Sequence, residues 1–538
     1  MSRPRGGLGP EWWREGVLYQ VYPRSYQDSN GDGVGDLRGI TQRLDHLAGR
    51  DDSLGIDGIW ISPFYPSPQA DFGYDVANYT DVDPQFGTLA DFDELLTEAH
   101  ARGIRIIVDL VPNHTSDQHP WFVESRSSRT NPKRDWYVWA DPKPDGSPPN
   151  AWRSAFNRVQ KEAWTLDPKT GQYYLHSFLP QQPDLNWWNP EVRAAFEGIL
   201  RFWLDRGADG FRIDVAHKTV KPRDVAAGLF GENPRGTRDF TPPADEPELH
   251  ALLRSWRKLL NEYDDRMTVG ECVVLDPDRL VEFYGADNDE LHLAFNFHFL
   301  RAPWGAEAFR SRTDIFEAVL PNGAWPDYTL SNHDNPRAVS RYASGDISRG
   351  RQRGRLAAMM LLTLRGTPFI YYGEEIGMAD APIPPKRVVD VAGRDPERTP
   401  MQWDHSPRAG FTTGDPWLPV NPETATVNVE AQRRDPKSMF GLYRRLIAER
   451  RGSPALRRGA YRPLPAPKGV FAYARELDGE RRVVLLNFAG RAVLVPIARL
   501  GVAPEGLRIK LSTDPQRAGE ERVGKTIELA PDEGVLLQ

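Results

Sequence analysis

Three short stretches place acids where packing has no use for them. The apolar run Ala208–Ile213 carries Arg212 and leads directly into Asp214, within Gly210-Phe-Arg-Ile-Asp-Val-Ala-His217. Two residues apart on a strand, guanidinium and carboxyl project to one face. Such a pair is either a structural ion pair or a nucleophile kept ionised by its neighbour. Met267-Thr-Val-Gly-Glu-Cys272 puts Glu271 just past a second apolar run, and Leu330-Ser-Asn-His-Asp-Asn335 puts His333 and Asp334 past a third. Ile107-Val-Asp-Leu-Val-Pro-Asn-His114 and Phe72-Gly-Tyr-Asp75 add Asp109, His114 and Asp75. Singly, each reads as a polar loop residue. Their recurrence at strand ends reads as one site, and paired carboxylates there suit glycoside hydrolysis.

Positioning these residues requires strands whose ends meet. Strand-like runs alternate with amphipathic helix-like segments, the pattern of a parallel sheet. Strands are expected at 17–22, 56–62, 104–111, 208–213, 266–270, 291–296, 327–330 and 367–372. Helices are expected at 37–49, 89–102, 190–206, 248–263, 351–365 and 437–450. Eight such units predict an α/β fold of the (β/α)8 TIM-barrel type, whose sites lie at the C-terminal ends of the strands. Residues 115–189, rich in Pro, Asn, Asp and Trp and without a clean period, read as an inserted domain after strand 3. The barrel then spans 1–114 and 190–453. From 454 to 538, short strand-like runs at 469–475, 482–488, 491–495, 507–512 and 526–529 predict a small antiparallel β-domain.

Composition narrows the partners. The 538 residues carry a net charge of −7 with both signs interspersed, so neither nucleic acid nor an anionic membrane is an expected partner. The single cysteine, Cys272, excludes an internal disulfide and fits a reducing compartment. The first ten residues lack an apolar signal-peptide core, and no window approaches 18 apolar residues. The expectation is a soluble cytoplasmic protein. Its 16 Trp and 18 Tyr would also suit stacking on sugars. Oligomeric state is not legible.

Four blocks in order, Asp109-Leu-Val-Pro-Asn-His114, Gly210–His217, Gly270-Glu271 and His333-Asp334, resemble the signature blocks of the α-amylase family of glycoside hydrolases. Gln182-Pro-Asp-Leu-Asn186 and Arg398-Thr-Pro-Met-Gln-Trp403 resemble segments of its oligo-1,6-glucosidase and α-glucosidase branch. Gly58-Ile-Trp-Ile-Ser-Pro63 and Gly366-Thr-Pro-Phe-Ile-Tyr-Tyr-Gly-Glu374 match further blocks. The resemblance implies Asp214 as nucleophile, Glu271 as general acid and then base, and Asp334 as the acid that binds ring hydroxyls. It also implies Asp75, His114, Arg212, His333 and Arg398 as the grip on the non-reducing glucose, with Tyr74 stacked beneath it. Glu271 must hold a proton while Asp214 is charged, a state Arg212 is expected to favour.

The first βα loop, Asp28-Ser-Asn-Gly-Asp-Gly-Val-Gly-Asp36, begins like a calcium loop. The expected ligands are Asp28, Asn30, Asp32, the Val34 carbonyl and Asp36. Position twelve is Gly39 rather than Glu, so no EF-hand is expected. The resemblance implies a structural Ca²⁺, with Mg²⁺ as the alternative and a plain turn as the bland reading. Cys272 reads as buried packing. His217 and Lys218 read as aglycone-side or solvated-turn residues, and Phe156 and Phe178 as walls of the site or core.

The implied activity is that of a retaining α-glucosidase taking one terminal glucose from short α-glucosides. Val215 after the nucleophile accompanies α-1,6 preference in related enzymes. Val215-Ala-His217 nevertheless differs from their typical Val-Ile-Asn, which favours α-1,4. The alternatives are an oligo-1,6-glucosidase, and a glucosyl transferase of the trehalose-synthase or sucrose-active kind. A non-enzymatic transporter heavy chain would need a membrane span and lack the acids.

Overall fold

The computed structural model describes residues 11–538, apart from 157–158, 229–230, 233–237, 240, 242, 245, 502–505, 518 and 520. The expected absence of a signal sequence in residues 1–10, and part of the long connection 216–247, lie outside the described residues.

Eight parallel strands form the central sheet: β1 (Leu18–Val21), β2 (Gly58–Ile61), β3 (Arg105–Leu110), β4 (Gly210–Ile213), β5 (Met267–Gly270), β6 (Leu293–Ala294), β7 (Asp327–Thr329) and β8 (Thr367–Tyr371). Their order is β6-β5-β4-β3-β2-β1-β8-β7, so β1 pairs with both β2 and β8 and the sheet curls into a nearly closed barrel. This is the TIM barrel expected from the alternation. The strands are buried on both faces, which is why they read as unbroken apolar runs.

Local chemistry marks the flanking helices. Pro190–Arg206 starts with Asn189 accepting the Glu191 amide, has Pro at its first position, and ends on Gly207 at φ 111°. Leu89–Ala101 opens with a reciprocal Thr88/Asp91 capping box. Trp203, on the first of these helices, packs edge-on against Phe64 and Phe92, joining both helices to the segment that follows β2.

Several elements differ from expectation. β6 has two residues rather than six, because the helix Phe297–Leu300 begins almost at once. A 14-residue helix, Ala306–Val319, was not anticipated. The irregular insert holds the helix Pro120–Ser125 and a three-stranded sheet of Trp139–Ala140, Gln172–Leu175 and Trp164–Asp167. Trp152 and Trp164 stack within its own small core, so its order comes from aromatic packing and not from periodicity. After the barrel, a five-stranded antiparallel sheet uses Ala460–Pro463 and Gly534–Leu537 as well as anticipated runs. Among the described residues no helix is long and apolar enough to cross a membrane.

Candidate active site

Strand register assembles the centre. Asp109 pairs with Arg212 across β3 and β4, and Ile213 pairs with Gly270 across β4 and β5. One step further, Asp214 and Glu271 are neighbours. Their amides are tied to Leu110 and Ile213 carbonyls, each at 2.8 Å. Adjacent strands lie about 4.8 Å apart, so these two carboxyls rise from backbones at close to the separation of about 5–5.5 Å used by retaining glycosidases. Gly210 opens β4 where a Cβ would stand 2.3 Å from the Met267 carbonyl oxygen, so only glycine allows this approach.

Arg212 organises the cluster. Its Nη1 donates to Asp214 Oδ1 at 2.7 Å and to Asp109 Oδ1 at 2.9 Å, while Nη2 lies 2.8 Å from Glu271 Oε2. The side chain is only 1% exposed, and its guanidinium sits over Trp60. One guanidinium serves three carboxyls, so full ionisation would leave two uncompensated negative charges in a buried space. Burial drives Asp214 well above the usual carboxylate range; Arg212 opposes this, and Glu271 and Asp109 add to it. Asp109 is likewise raised by burial, to about 6. The expectation that Arg212 simply keeps Asp214 low is therefore corrected: its charge is shared. One counter-charge among three carboxyls makes their protonation interdependent.

Asp334 stands in a different field. Burial disfavours its charge, but His333, Arg394 and Arg398 outweigh that and hold it far below the usual range. Arg398 Nη2 donates to Asp334 Oδ1 at 2.7 Å and Arg394 Nη1 at 3.0 Å. Asp334 is therefore held ionised, an acceptor of hydrogen bonds and not a proton donor.

The cavity is about 840 Å³ and is lined by Asp214, Glu271 and Asp334 together with Tyr74, His114, Phe156, Phe178, His217 and Lys218. Arg212, His333 and Arg398 stand directly behind this lining, at 1%, 0% and 1% exposure. His333 stacks on Tyr74, with ring centroids 5.3 Å apart and planes at 3°. Burial pulls the His114 imidazole down to about 4, so it is neutral near pH 7; Gln182 Nε2 lies 3.0 Å from its Nε2.

Asp75 is a correction. Its carboxylate accepts the Ala70 amide at 2.8 Å and the Asp71 amide at 2.9 Å, and it is fully buried outside the cavity lining. It braces the loop that presents Asp71. Asp71 lines the cavity in its place, taking Arg394 Nη2 at 2.6 Å and Gln182 Nε2 at 3.0 Å. Arg394, bridging Asp71 and Asp334, escaped sequence reading because Arg398, four residues on, sits in the more distinctive segment. Val215 is a second unforeseen feature. This β-branched residue takes φ 44°, a conformation costing on the order of 1–3 kcal/mol, and its amide donates to Glu271 Oε2 at 3.2 Å.

Cys272 is buried, and burial pushes its thiol well up, so it stays an inert packed side chain. In the Asp28–Asp36 loop, Asp28 accepts the amides of Asn30, Gly31 and Gly33, Asn30 that of Asp32, and Asp32 that of Val34. Asp36 also caps the helix Leu37–Leu47 through the Gly39 amide. These are all-oxygen donors suited to a hard cation. Among the described residues, though, no three His, Cys, Asp or Glu side chains gather as a metal site.

A barrel with paired carboxyls at the ends of adjacent strands and a third acid across the cavity is the framework of a glycoside hydrolase. Residues 20–459 match the alpha-amylase catalytic domain, and the chain belongs to that family. It is 43% identical to a probable alpha-glucosidase of Rhizobium meliloti strain 1021, over 91% of this chain and 92% of that one. It is 41% identical to an oligo-1,6-glucosidase of Heyndrickxia coagulans, over 90% and 93%. Among solved structures it resembles the alpha-glucosyl transfer enzyme XgtA, with a TM-score of 0.89 at 38% identity, covering 98% of this chain and 99% of that one. It also resembles the trehalulose synthase MutB of Pseudomonas mesoacidophila MX-45, with a TM-score of 0.87 at 37% identity, covering 98% and 100%. The protein is a glycoside hydrolase of the alpha-amylase family.

Proposed function

We propose that this enzyme is a retaining, exo-acting α-glucosidase that removes one terminal non-reducing glucose from short α-glucosides, α-1,4 linkages before α-1,6. The observation that carries exo action is the Arg394 bridge between Asp71 and Asp334, which walls one side of the cavity with paired charge. Glucose would fill the space against this wall, its hydroxyls donating to Asp334 and Asp71. Glu271 protonates the glycosidic oxygen while Asp214 attacks the anomeric carbon and the aglycone leaves. Water, deprotonated by Glu271, then attacks the glucosyl–Asp214 ester from the opposite face and releases glucose with its configuration retained. The α-1,4 preference rests on the Val215-Ala-His217 segment.

A second reading is transfer of the same intermediate to a sugar or alcohol. Val159, Val273 and Leu275 give the cavity an apolar flank that would disfavour water, and the names of XgtA and MutB describe glucosyl transfer and synthesis. We also propose that the Asp28–Asp36 loop takes a structural Ca²⁺, or Mg²⁺ in its absence, remote from bond cleavage.

Maltose, isomaltose, sucrose and trehalose compared in one assay, with NMR of the first-formed anomer, test these roles. The expected result is α-glucose released fastest from maltose. Glu271→Gln should lower turnover about 10²–10⁴-fold, and Asp214→Asn at least as much. β-Glucose as first product, or near-normal turnover in either variant, would remove the mechanism. New disaccharides at high maltose would establish transfer.

A further inference from the structure

Arg301, an exposed residue, follows the short helix after β6 and lines the cavity with Glu271, Val273 and Leu275. Its guanidinium lies over the Phe297 ring, 5.6 Å from the centroid. Partial desolvation lowers its pKa, and the Glu271 carboxyl is near enough to oppose that. The guanidiniums of Arg212 and Arg394 are each committed to two or more carboxylates. Among the described residues the Arg301 guanidinium has neither a hydrogen bond nor a carboxylate at ion-pair distance. A neutral aglycone covering it would strip hydration from a cation and return only hydrogen bonds to uncharged oxygens. An acidic aglycone would replace that hydration with a charge-assisted, bidentate contact.

We propose that Arg301 makes the part of the cavity it lines with Glu271 a subsite for an aglycone that carries an acidic group, a carboxylate or a phosphate, beside apolar surface supplied by Val273 and Leu275. This rests on the α-glucosidase reading, since it names the leaving group for the same site. The glucose wall of Asp71, Arg394 and Asp334 is held by its own ion pairs, none of which involves Arg301.

The test compares 4-carboxyphenyl α-glucoside with its neutral isostere, 4-carbamoylphenyl α-glucoside, by kcat/KM in the wild type, Arg301→Gln and Arg301→Lys. A second arm compares trehalose 6-phosphate with trehalose, and so separates phosphate from carboxylate recognition. The expected result is a preference for an acidic substrate of about tenfold or more. That preference should shrink with added salt, collapse toward unity in Arg301→Gln and partly return in Arg301→Lys. Equal ratios in the wild type and Arg301→Gln overturn the proposal. So does a parallel loss on both substrates with a displaced basic limb of the pH profile, which would make Arg301 a partner of Glu271 instead. If no α-glucoside is cleaved at all, the α-glucosidase reading fails first, and that outcome is distinct from hydrolysis without acidic preference.

Discussion

Arg394 shows how much one side chain can decide. It donates to Asp71, Asp334 and Asp390, and its guanidinium lies over Phe156 of the insert, 5.0 Å from the ring centroid. Removing it would leave Asp71 without its ion-pair partner and Asp334 with Arg398 alone, at about 1.5–3 kcal/mol for each charged hydrogen bond. Arg394→Ala should therefore lower kcat/KM on maltose about 10- to 100-fold, with Arg394→Lys recovering part of it. Steady-state kinetics beside a thermal melt checks this, and an unchanged kcat/KM would show that the bridge does not shape the glucose site. None of this was legible in the sequence. Arg394 and Arg398 flank Asp-Pro-Glu, and only Arg398 sits in a distinctive segment. Asp71 and Asp75 flank Phe-Gly-Tyr, and the turn that separates their roles depends on Phe72 at φ 48° and Gly73 at φ 104°, conformations that no hydrophobic pattern announces. Asp214, Glu271 and Asp334 were legible for the opposite reason: each interrupts or ends an apolar run, where only a strand end in a barrel gives a charged group somewhere to go.

At the scale of elements, strands and their order were readable because burial on both faces leaves unbroken apolar runs. β6 was overestimated, because a helix begins on the same apolar stretch; the insert was underread, because aromatic packing has no period. The turn after β8 carries a consequence for stability. Glu374, in the 3-10 turn Glu374–Ile376, accepts the Ser331 hydroxyl three residues before Asp334, and so ties β8 to the loop after β7. Burial raises its carboxyl from the usual 4.5 to about 7. The folded state thus binds this proton more tightly than the unfolded chain. The contribution is fully present below about pH 4.5, and it is lost as pH rises through about 7. Glu374→Gln keeps an acceptor for Ser331 and removes the titration. Relative to wild type, the variant should gain stability between pH 5 and pH 8, read as the difference in thermal midpoints. An equal difference at both pH values would show that Glu374 does not titrate in that window.

At the scale of the molecule, one contact joins the beginning of the barrel to its long final loop. The Asp28 amide donates to the Phe411 carbonyl at 3.0 Å, the Trp417 amide donates to the Gly33 carbonyl at 3.0 Å, and the Thr412 hydroxyl donates to Asp28. Gly33, at φ 94°, sits where a Cβ would lie 1.9 Å from the Asp415 carbonyl oxygen, so the two loops are pressed together at backbone distance. Trp417 and Phe72 are in ring contact at 5.7 Å, which carries the contact on to the loop that presents Asp71. A cation in the proposed calcium loop would therefore brace the rim of the cavity as well as its own turn. Ligand binding to the folded state alone stabilises it by about 2.7 kcal/mol at a hundredfold excess over Kd. Chelation should thus lower the thermal midpoint by several degrees, and calcium should restore it. Asp32 is exposed and accepts only from Asn30 and Val34 within the loop, so Asp32→Ala removes a ligand with little other loss. In that variant the calcium-dependent shift should shrink or vanish while the chelated midpoint stays near that of the chelated wild type. A wild-type melt indifferent to both chelator and calcium would leave the loop a self-sufficient Asp and Asn turn, held closed by its own amides and by the final loop that presses on it.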